Sequence, residues 1–554
     1  MISIFQIPNA YMTKITSLLF TALIFYTSCQ SQITAKKDTL TLQDTLRGSI
    51  TAERAWWDVI KYDITVEPDF ATKTLKGTNV ITFRSNGDGQ RMQLDMQKPM
   101  EITRISFGKT NPTFTRNGNV YYVDFKKKLI KGEVNNITVE FRGKPREAVT
   151  PPWDGGWIWQ RDSFGNPWMS VACQGLGASV WYPCKDHQSD EPDSALLTMI
   201  VPSDLTAIGN GRLRKLERSG QKSIYTWAVV NPINSYNIVP YIGRYVNWTG
   251  EYNGEKGKLD LSYWVLEGNL TKAKKQFTQV IPMLKCFEHW FGPYPFYEDG
   301  YKLVESPHLG MEHQSAIAYG NGFENGYLGK DLSGTGWGKK WDFIIVHESA
   351  HEWFANNITT KDIADMWVHE GFTNYSEVLF ITCEYGVQAG NEYAIGLRKS
   401  IHNDKPLIAP YGVNKEGSVD MYAKGANLVH TIRQIINDDE KFRTILRNMN
   451  KEFYHQQVTS EQIELYLSQQ SGKDLSKIFD QYLRTTMIPR FEFVIAGTKL
   501  RYRWSNCVEG FDMPLKIDTG STIWLSPTTE WKETKIDAST LVVDRNFYIS
   551  SSKM

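Results

Sequence analysis

His347, Glu348 and His351 stand in the order HExxH, and Glu370 follows nineteen residues after His351. On a helix, positions i and i+4 share a face, so the two imidazoles can reach one ion together. Glu348 lies one step round, where its carboxylate reaches a water beside the ion rather than the ion itself. Two histidines and one carboxylate form the ligand set of a catalytic zinc site, with a fourth position left to water or substrate. Water in such a site has a pKa near ~7, and Glu348 is expected to take its proton as it attacks a carbonyl. One zinc ion per chain is therefore expected, on His347, His351 and Glu370. Glu377 lies seven residues beyond Glu370 on the same helix face, placed to hold the second nitrogen of a ligating histidine.

The elements that must carry these groups are legible from periodicity. A helix over Lys339–Asn356 places Phe343, Ile344, Ala350 and Phe354 on an apolar face. A second helix runs from Trp367 to Tyr385, is stopped by Gly386, and has Glu370 in its first turn. Upstream, Phe277, Val280, Ile281, Leu284, Phe287 and Trp290 predict an amphipathic helix over Thr271–Phe291, closed by Gly292-Pro293. A strand over Tyr301–Glu305 leads toward the metal motif. Downstream come helices over Met421–Ile436 and Leu475–Arg484, and between them Thr459 and Gln462 form a capping box. Ahead of all this, Tyr62, Ile64 and Val66 alternate with polar residues, and Asn86-Gly87, Asn117-Gly118 and Asn210-Gly211 punctuate strand after strand. From Pro489 the strand pattern returns. The fold class is multidomain α+β: an N-terminal all-β domain (51–255), a thermolysin-like α/β catalytic domain (256–488) and a small C-terminal β-domain (489–554).

A chain of 554 residues exceeds what one core supports. Its 41% hydrophobic and 22% charged content is that of a globular protein, and a net charge of +1 argues against nucleic acid as a partner. Lys14, the apolar run Ile15–Tyr26 and Thr27-Ser28-Cys29 have the layout of a bacterial export signal over residues 1–29, followed by a polar tether over 30–50. Cys29 after small residues resembles a lipoprotein cleavage site, the alternative being a simple secretory peptide with an incidental cysteine. The expectation is export to the periplasm or outer membrane, with membrane attachment only through a lipid on Cys29. Among the other cysteines, Cys173 and Cys184 are the nearest in sequence for a disulfide, whereas Cys286 and Cys383 read as buried thiols.

Several motifs in one order carry a resemblance. HExxH with Glu370, Gly310-Met311-Glu312 upstream, and Tyr422-x-Lys424-Gly425-Ala426 downstream resemble the gluzincin zinc aminopeptidases, the family of membrane alanyl aminopeptidases and the leukotriene-hydrolase aminopeptidase. Tyr62-Asp63-Ile64-Thr65-Val66, Trp181-Tyr182-Pro183-Cys184 and Phe291-Gly292-Pro293-Tyr294-Pro295 match it as well, so the likeness spans roughly Trp56 to Ile549. It implies removal of N-terminal residues from peptide substrates. Glu312 falls on the glutamate that binds the substrate's α-ammonium, with Gly310 and Met311 in the same binding segment. Gln174 falls on a substrate-contacting glutamine, and Tyr422 on the tyrosine that stabilises the oxyanion. The sequence departs from the family at Leu309, Gly310, His313, Ala355 and His369. His313 beside the substrate amine is expected to alter the pH profile or the preferred first residue. Many relatives continue into a long helical domain beyond the point where this sequence ends, which leads us to expect a more open site here. Other readings of the same scaffold are an endopeptidase, an epoxide hydrolase or a catalytically silent peptide-binding protein.

Overall fold

A computed structural model describes residues 39–554. The export signal, Cys29 and the first part of the tether lie outside the described residues. The rest of the tether differs from the expectation of a free linker. Leu42–Gly48 is helical, the Arg47 guanidinium lies 3.6 Å from the Asp186 carboxylate, and the Asp44 carbonyl accepts from Asn414 N–H at 3.0 Å. These contacts and the Gln93 side chain, which donates to the Leu46 carbonyl at 3.0 Å, dock the polar segment.

The N-terminal part is all β. A seven-stranded sheet is built around Trp57–Asp69, which pairs antiparallel with Thr74–Ser85 and parallel with Ser194–Pro202. Tyr62, Ile64 and Val66 are fully buried, as their alternation predicts. A four-stranded sheet contains Pro167–Ala172, which delivers Gln174 to the loop beyond it. The catalytic sheet has five strands in the spatial order Tyr245–Gly254, Gly257–Leu266, Tyr301–Glu305, Ile317–Tyr319 and Gly310–Met311. Its first hairpin is continuous from Tyr245 to Leu266, so the change of sheet falls before Tyr245 rather than at residue 256.

Four helices frame the site: α1 (Val280–Phe291), α2 (Phe343–Ala350), α3 (Trp367–Tyr385) and α4 (Ala423–Ile436). The helix expected over Thr271–Phe291 is divided: Leu270–Gln276 is separated from α1 by one tighter turn. Pro282 near the start of α1 lacks the N–H that a continuous helix needs. The helix expected over Lys339–Asn356 is shorter. Asp342 caps α2 by accepting from the N–H groups of Ile344 and Ile345, and Ala355 leaves the helical path at φ 141°. Ala355 holds a backbone conformation that glycine adopts more easily. The capping box at Thr459 and Gln462 is present.

The C-terminal strands form a four-stranded and a three-stranded sheet. Phe491, Trp504, Met513 and Leu515 belong to the same buried cluster as the apolar residues of α1–α4, so this unit shares the catalytic core. The cysteine expectations are overturned. Cys286 on α1 and Cys383 on α3 form a disulfide, while Cys173 and Cys184 are free and buried. The packing of α1 against α3 brings together two thiols 97 residues apart, which sequence proximity cannot reveal. No described helix is long and apolar enough to cross a membrane.

Candidate active site

The two histidines of the motif keep a common face although α2 ends between them, because His351 retains right-handed helical angles. Their Nε2 atoms lie 3.6 Å (His347) and 3.4 Å (His351) from the same atom, Glu370 Oε2. The Nδ1 atoms are occupied elsewhere. His347 Nδ1 lies 2.7 Å from Glu377 Oε1, and His351 Nδ1 lies 2.9 Å from the Phe354 carbonyl. Each Nδ1 therefore carries the proton, and each Nε2 turns a lone pair inward. Glu370 Oε2 is buried and has no hydrogen-bond partner among the described residues. One donor atom from each of His347, His351 and Glu370 falls within 4.8 Å of the others. This orphaned oxygen between two imidazole lone pairs fits a divalent zinc ion.

Glu377 is anchored as tightly as it anchors. Tyr393 donates to its Oε2 at 2.6 Å and Asn374 to its Oε1 at 2.7 Å. Glu377→Gln is expected to weaken zinc affinity by about 10- to 100-fold, measured by competition with a chelator. Unchanged affinity would remove Glu377 from the site.

Glu348 sits one step round α2 from His347, against Gly310 of the edge strand, with a carboxylate oxygen within 4.8 Å of a His351 ring nitrogen. A β-carbon on Gly310 would stand 2.6 Å from Glu348 Oε1 and 2.9 Å from the Ile344 side chain. Glycine at 310, one of the departures from the family pattern, thus makes room for the carboxylate. Burial, partly opposed by His347 and His351, raises Glu348 to about 7.

Glu312 follows the edge strand and is buried, with Tyr236 donating to its Oε1 at 3.0 Å. Asn356 donates to its backbone carbonyl at 2.9 Å. Glu312, Glu348 and His351 also offer donor atoms within 4.8 Å of one another, so the ammonium-binding candidate adjoins the metal candidate. Tyr422 caps α4, its ring stacked 6.0 Å from the His347 ring. α4 comes this close because Gly425 faces Gly371 of α3: a β-carbon on Gly425 would lie 2.9 Å from the Gly371 α-carbon. Gln174 enters from the N-terminal part, its Nε2 4.0 Å from Met366 Sδ.

All ten candidate residues converge on one region where the N-terminal sheets meet the catalytic domain. Two neighbours do not take part. His313 is buried against Tyr241, whose hydroxyl lies 2.6 Å from its Nδ1, and burial followed by His308 holds it well below the usual range. It is a neutral core residue, which corrects the expectation that it acts on the substrate amine. His369 turns away from the site and accepts from Thr360 N–H at 2.9 Å, leaving Glu370 as the third ligand candidate. Tyr236, Asn356 and Glu416 escaped the sequence reading because none belongs to a spaced motif.

A match to the Peptidase family M1 domain covers residues 276–482. The chain is similar to probable aminopeptidase 2 of Sulfurisphaera tokodaii, 22% identical over 461 residues that cover 79% of this chain and 55% of that protein. It is similar to leukotriene A-4 hydrolase of Xenopus laevis, 23% identical over 428 residues covering 72% of this chain and 66% of that protein. The chain thus spans about half the length of the first relative and just under two thirds of the second. A solved M1 zinc metallopeptidase mutant from Deinococcus radiodurans, bound to a Tyr-Ser-Ala substrate, aligns with a TM-score of 0.66. That match has 20% identity and covers 78% of this chain and 95% of that one, a likeness of fold.

Proposed function

We infer that the protein is a zinc-dependent aminopeptidase acting on oligopeptides; the match to the Peptidase family M1 domain over residues 276–482 supports this reading. The observation that carries this reading is the convergence of two imidazole lone pairs on the orphaned Glu370 Oε2, with the Glu312 carboxylate alongside. A bound zinc ion supplies Lewis-acid polarisation of a carbonyl and lowers the pKa of water beside it. The remaining work belongs to side chains of this chain. Glu312 receives the substrate's α-ammonium, and Gln174 offers its amide next to it. Fixing the amino end beside the reacting centre leaves room for one residue before the scissile bond. Glu348 takes the proton of the attacking water and returns it to the leaving amine. Tyr422 donates its hydroxyl to the developing oxyanion.

We propose in addition that the protein is exported by residues 1–29 and held through a lipid on Cys29 at the periplasmic or outer-membrane surface; the signal-like layout of those residues supports this. The Cys286–Cys383 disulfide fits an oxidising compartment. Peptides are the partners, and nucleic acid is not.

The test is a panel of aminoacyl-nitroanilides and short peptides, with and without a chelator. Turnover lost on chelation and restored by added zinc, together with resistance of N-acetylated peptides, supports the reading. Chelator-insensitive turnover, or equal cleavage of acetylated and free peptides, overturns it.

A further inference from the structure

Glu416 is a carboxylate in the cleft that peptide hydrolysis does not use. It sits on the loop that leads to Tyr422, and that loop is held on several sides. Asn414 donates through Nδ2 to the Gly175 carbonyl at 3.3 Å and through its N–H to the Asp44 carbonyl at 3.0 Å. Ser418 donates through Oγ to Asp404 and through its N–H to the Pro406 carbonyl at 3.1 Å. Gly417 backs so closely onto the Leu407 carbonyl that no side chain fits there. Glu416 itself lies against the Gln174–Gly175 turn. A β-carbon on Gly175 would stand 2.8 Å from its Oε1, which sets the carboxylate beside Gln174.

The position follows from its neighbours. Gln174 adjoins Gly175 on one side of Glu416, and the same loop runs on to Tyr422, whose ring lies 6.0 Å from that of His347. In the aminopeptidase reading, the first residue of the peptide spans the same interval, its ammonium at Glu312 and its carbonyl at the triad that includes Glu370. Glu416 therefore flanks the residue whose side chain must be accommodated. Lys405 lowers its pKa only slightly, as the weakest of the influences on it. Desolvation and then Glu370 and Glu312 hold the carboxyl above its ordinary range.

We propose that Glu416 reads the first side chain of the substrate and selects a cationic one, lysine or arginine. Glu312, Glu348, Glu370 and Glu416 bring four carboxylates to the cleft. A divalent ion and one ammonium leave one of them unmatched, and a basic side chain supplies the missing charge. A leucine side chain would strip water from Glu416 without replacing the interaction, and an acidic one would add repulsion. The proposal rests on the aminopeptidase reading.

The experiment uses the full chain with zinc and compares kcat/KM for arginine, lysine, leucine, alanine and glutamate nitroanilides. Arginine and lysine are expected to lead. Glu416→Gln is expected to lower the arginine-to-leucine ratio of kcat/KM by about 10- to 100-fold, the loss of one charged hydrogen bond, with Glu416→Asp recovering part of it. Zinc content of each variant reports that the site is intact. A native preference for leucine or alanine, or an arginine-to-leucine ratio unmoved by Glu416→Gln, overturns the proposal. If no nitroanilide is hydrolysed, the aminopeptidase reading itself fails. Calorimetry with free L-arginine and L-leucine then decides the role of Glu416: tighter arginine binding that Glu416→Gln abolishes supports it, and equal binding overturns it.

Discussion

Glu348→Gln is expected to lower kcat by about 10²- to 10⁴-fold while the protein keeps its zinc. The substitution preserves shape and removes only the ability to accept a proton. The carboxylate lies in a pocket made by the missing β-carbon of Gly310 and the flank of Ile344, and an amide of the same size fits that pocket. His347, His351 and Glu370 make their mutual contacts without Glu348, so metal content measured by atomic emission should match the native protein. KM for a nitroanilide should change little, because Glu312 and Gln174 are untouched. Native turnover in this variant would show that another group moves the proton. Loss of zinc with loss of turnover would show that Glu348 serves the metal. A complementary variant tests the pocket. Gly310→Ala pushes a methyl group into the carboxylate and is expected to lower kcat through displacement of Glu348, with zinc again retained.

Glu312→Ala should lower kcat/KM for free-amine substrates by about 10²-fold or more. Removing the carboxylate leaves the α-ammonium in a desolvated position with no full counter-charge. The surroundings sharpen the effect. Tyr236 donates to Glu312 Oε1 at 3.0 Å, and the buried hydroxyl would lose its acceptor with the side chain. The distinguishing measurement is the ratio of free to N-acetylated peptide cleavage, followed by mass spectrometry. The native ratio should be large and that of the variant should collapse toward one, since the group that recognises the amino end is gone. A ratio that stays high would assign amine recognition to another group. Glu312→Gln, which keeps a hydrogen-bond acceptor, separates charge from shape: a loss close to that of alanine identifies charge as the recognised property.

The features that were legible beforehand are local ones. The spacing of His347 and His351 fixes a shared helix face, because 3.6 residues per turn leaves no other arrangement for i and i+4. Glu370 and Glu377 share a face of α3 for the same reason, and Glu377 does meet His347 Nδ1. Burial of Tyr62, Ile64 and Val66 follows from the period of two in a strand. The cap at Thr459 is written in four consecutive residues. Family resemblance added Glu312, Gln174 and Tyr422, which periodicity cannot supply. It could not say where His313 turns, because one residue beside Glu312 can face either the cleft or the core.

What the tertiary structure alone decided concerns partners far apart in the chain. Cys286 and Cys383 read as separate thiols until the crossing of α1 and α3 is known, and the two nearest cysteines, Cys173 and Cys184, stay unpaired. The tether becomes a docked helix because Asp186 and Asn414, both remote in sequence, meet it. Gly310 reads as a departure from a motif until the Glu348 carboxylate is seen occupying the space of its missing β-carbon. Glu416 carries no spacing signal, and only the loop that sets it against Gly175 brings it beside Gln174. Amino-acid order determines which face of a helix or strand a group occupies, through bond geometry over a few residues. Which groups then confront one another across the cleft is set by packing of whole elements, where contacts hundreds of residues apart are chosen by shape and charge.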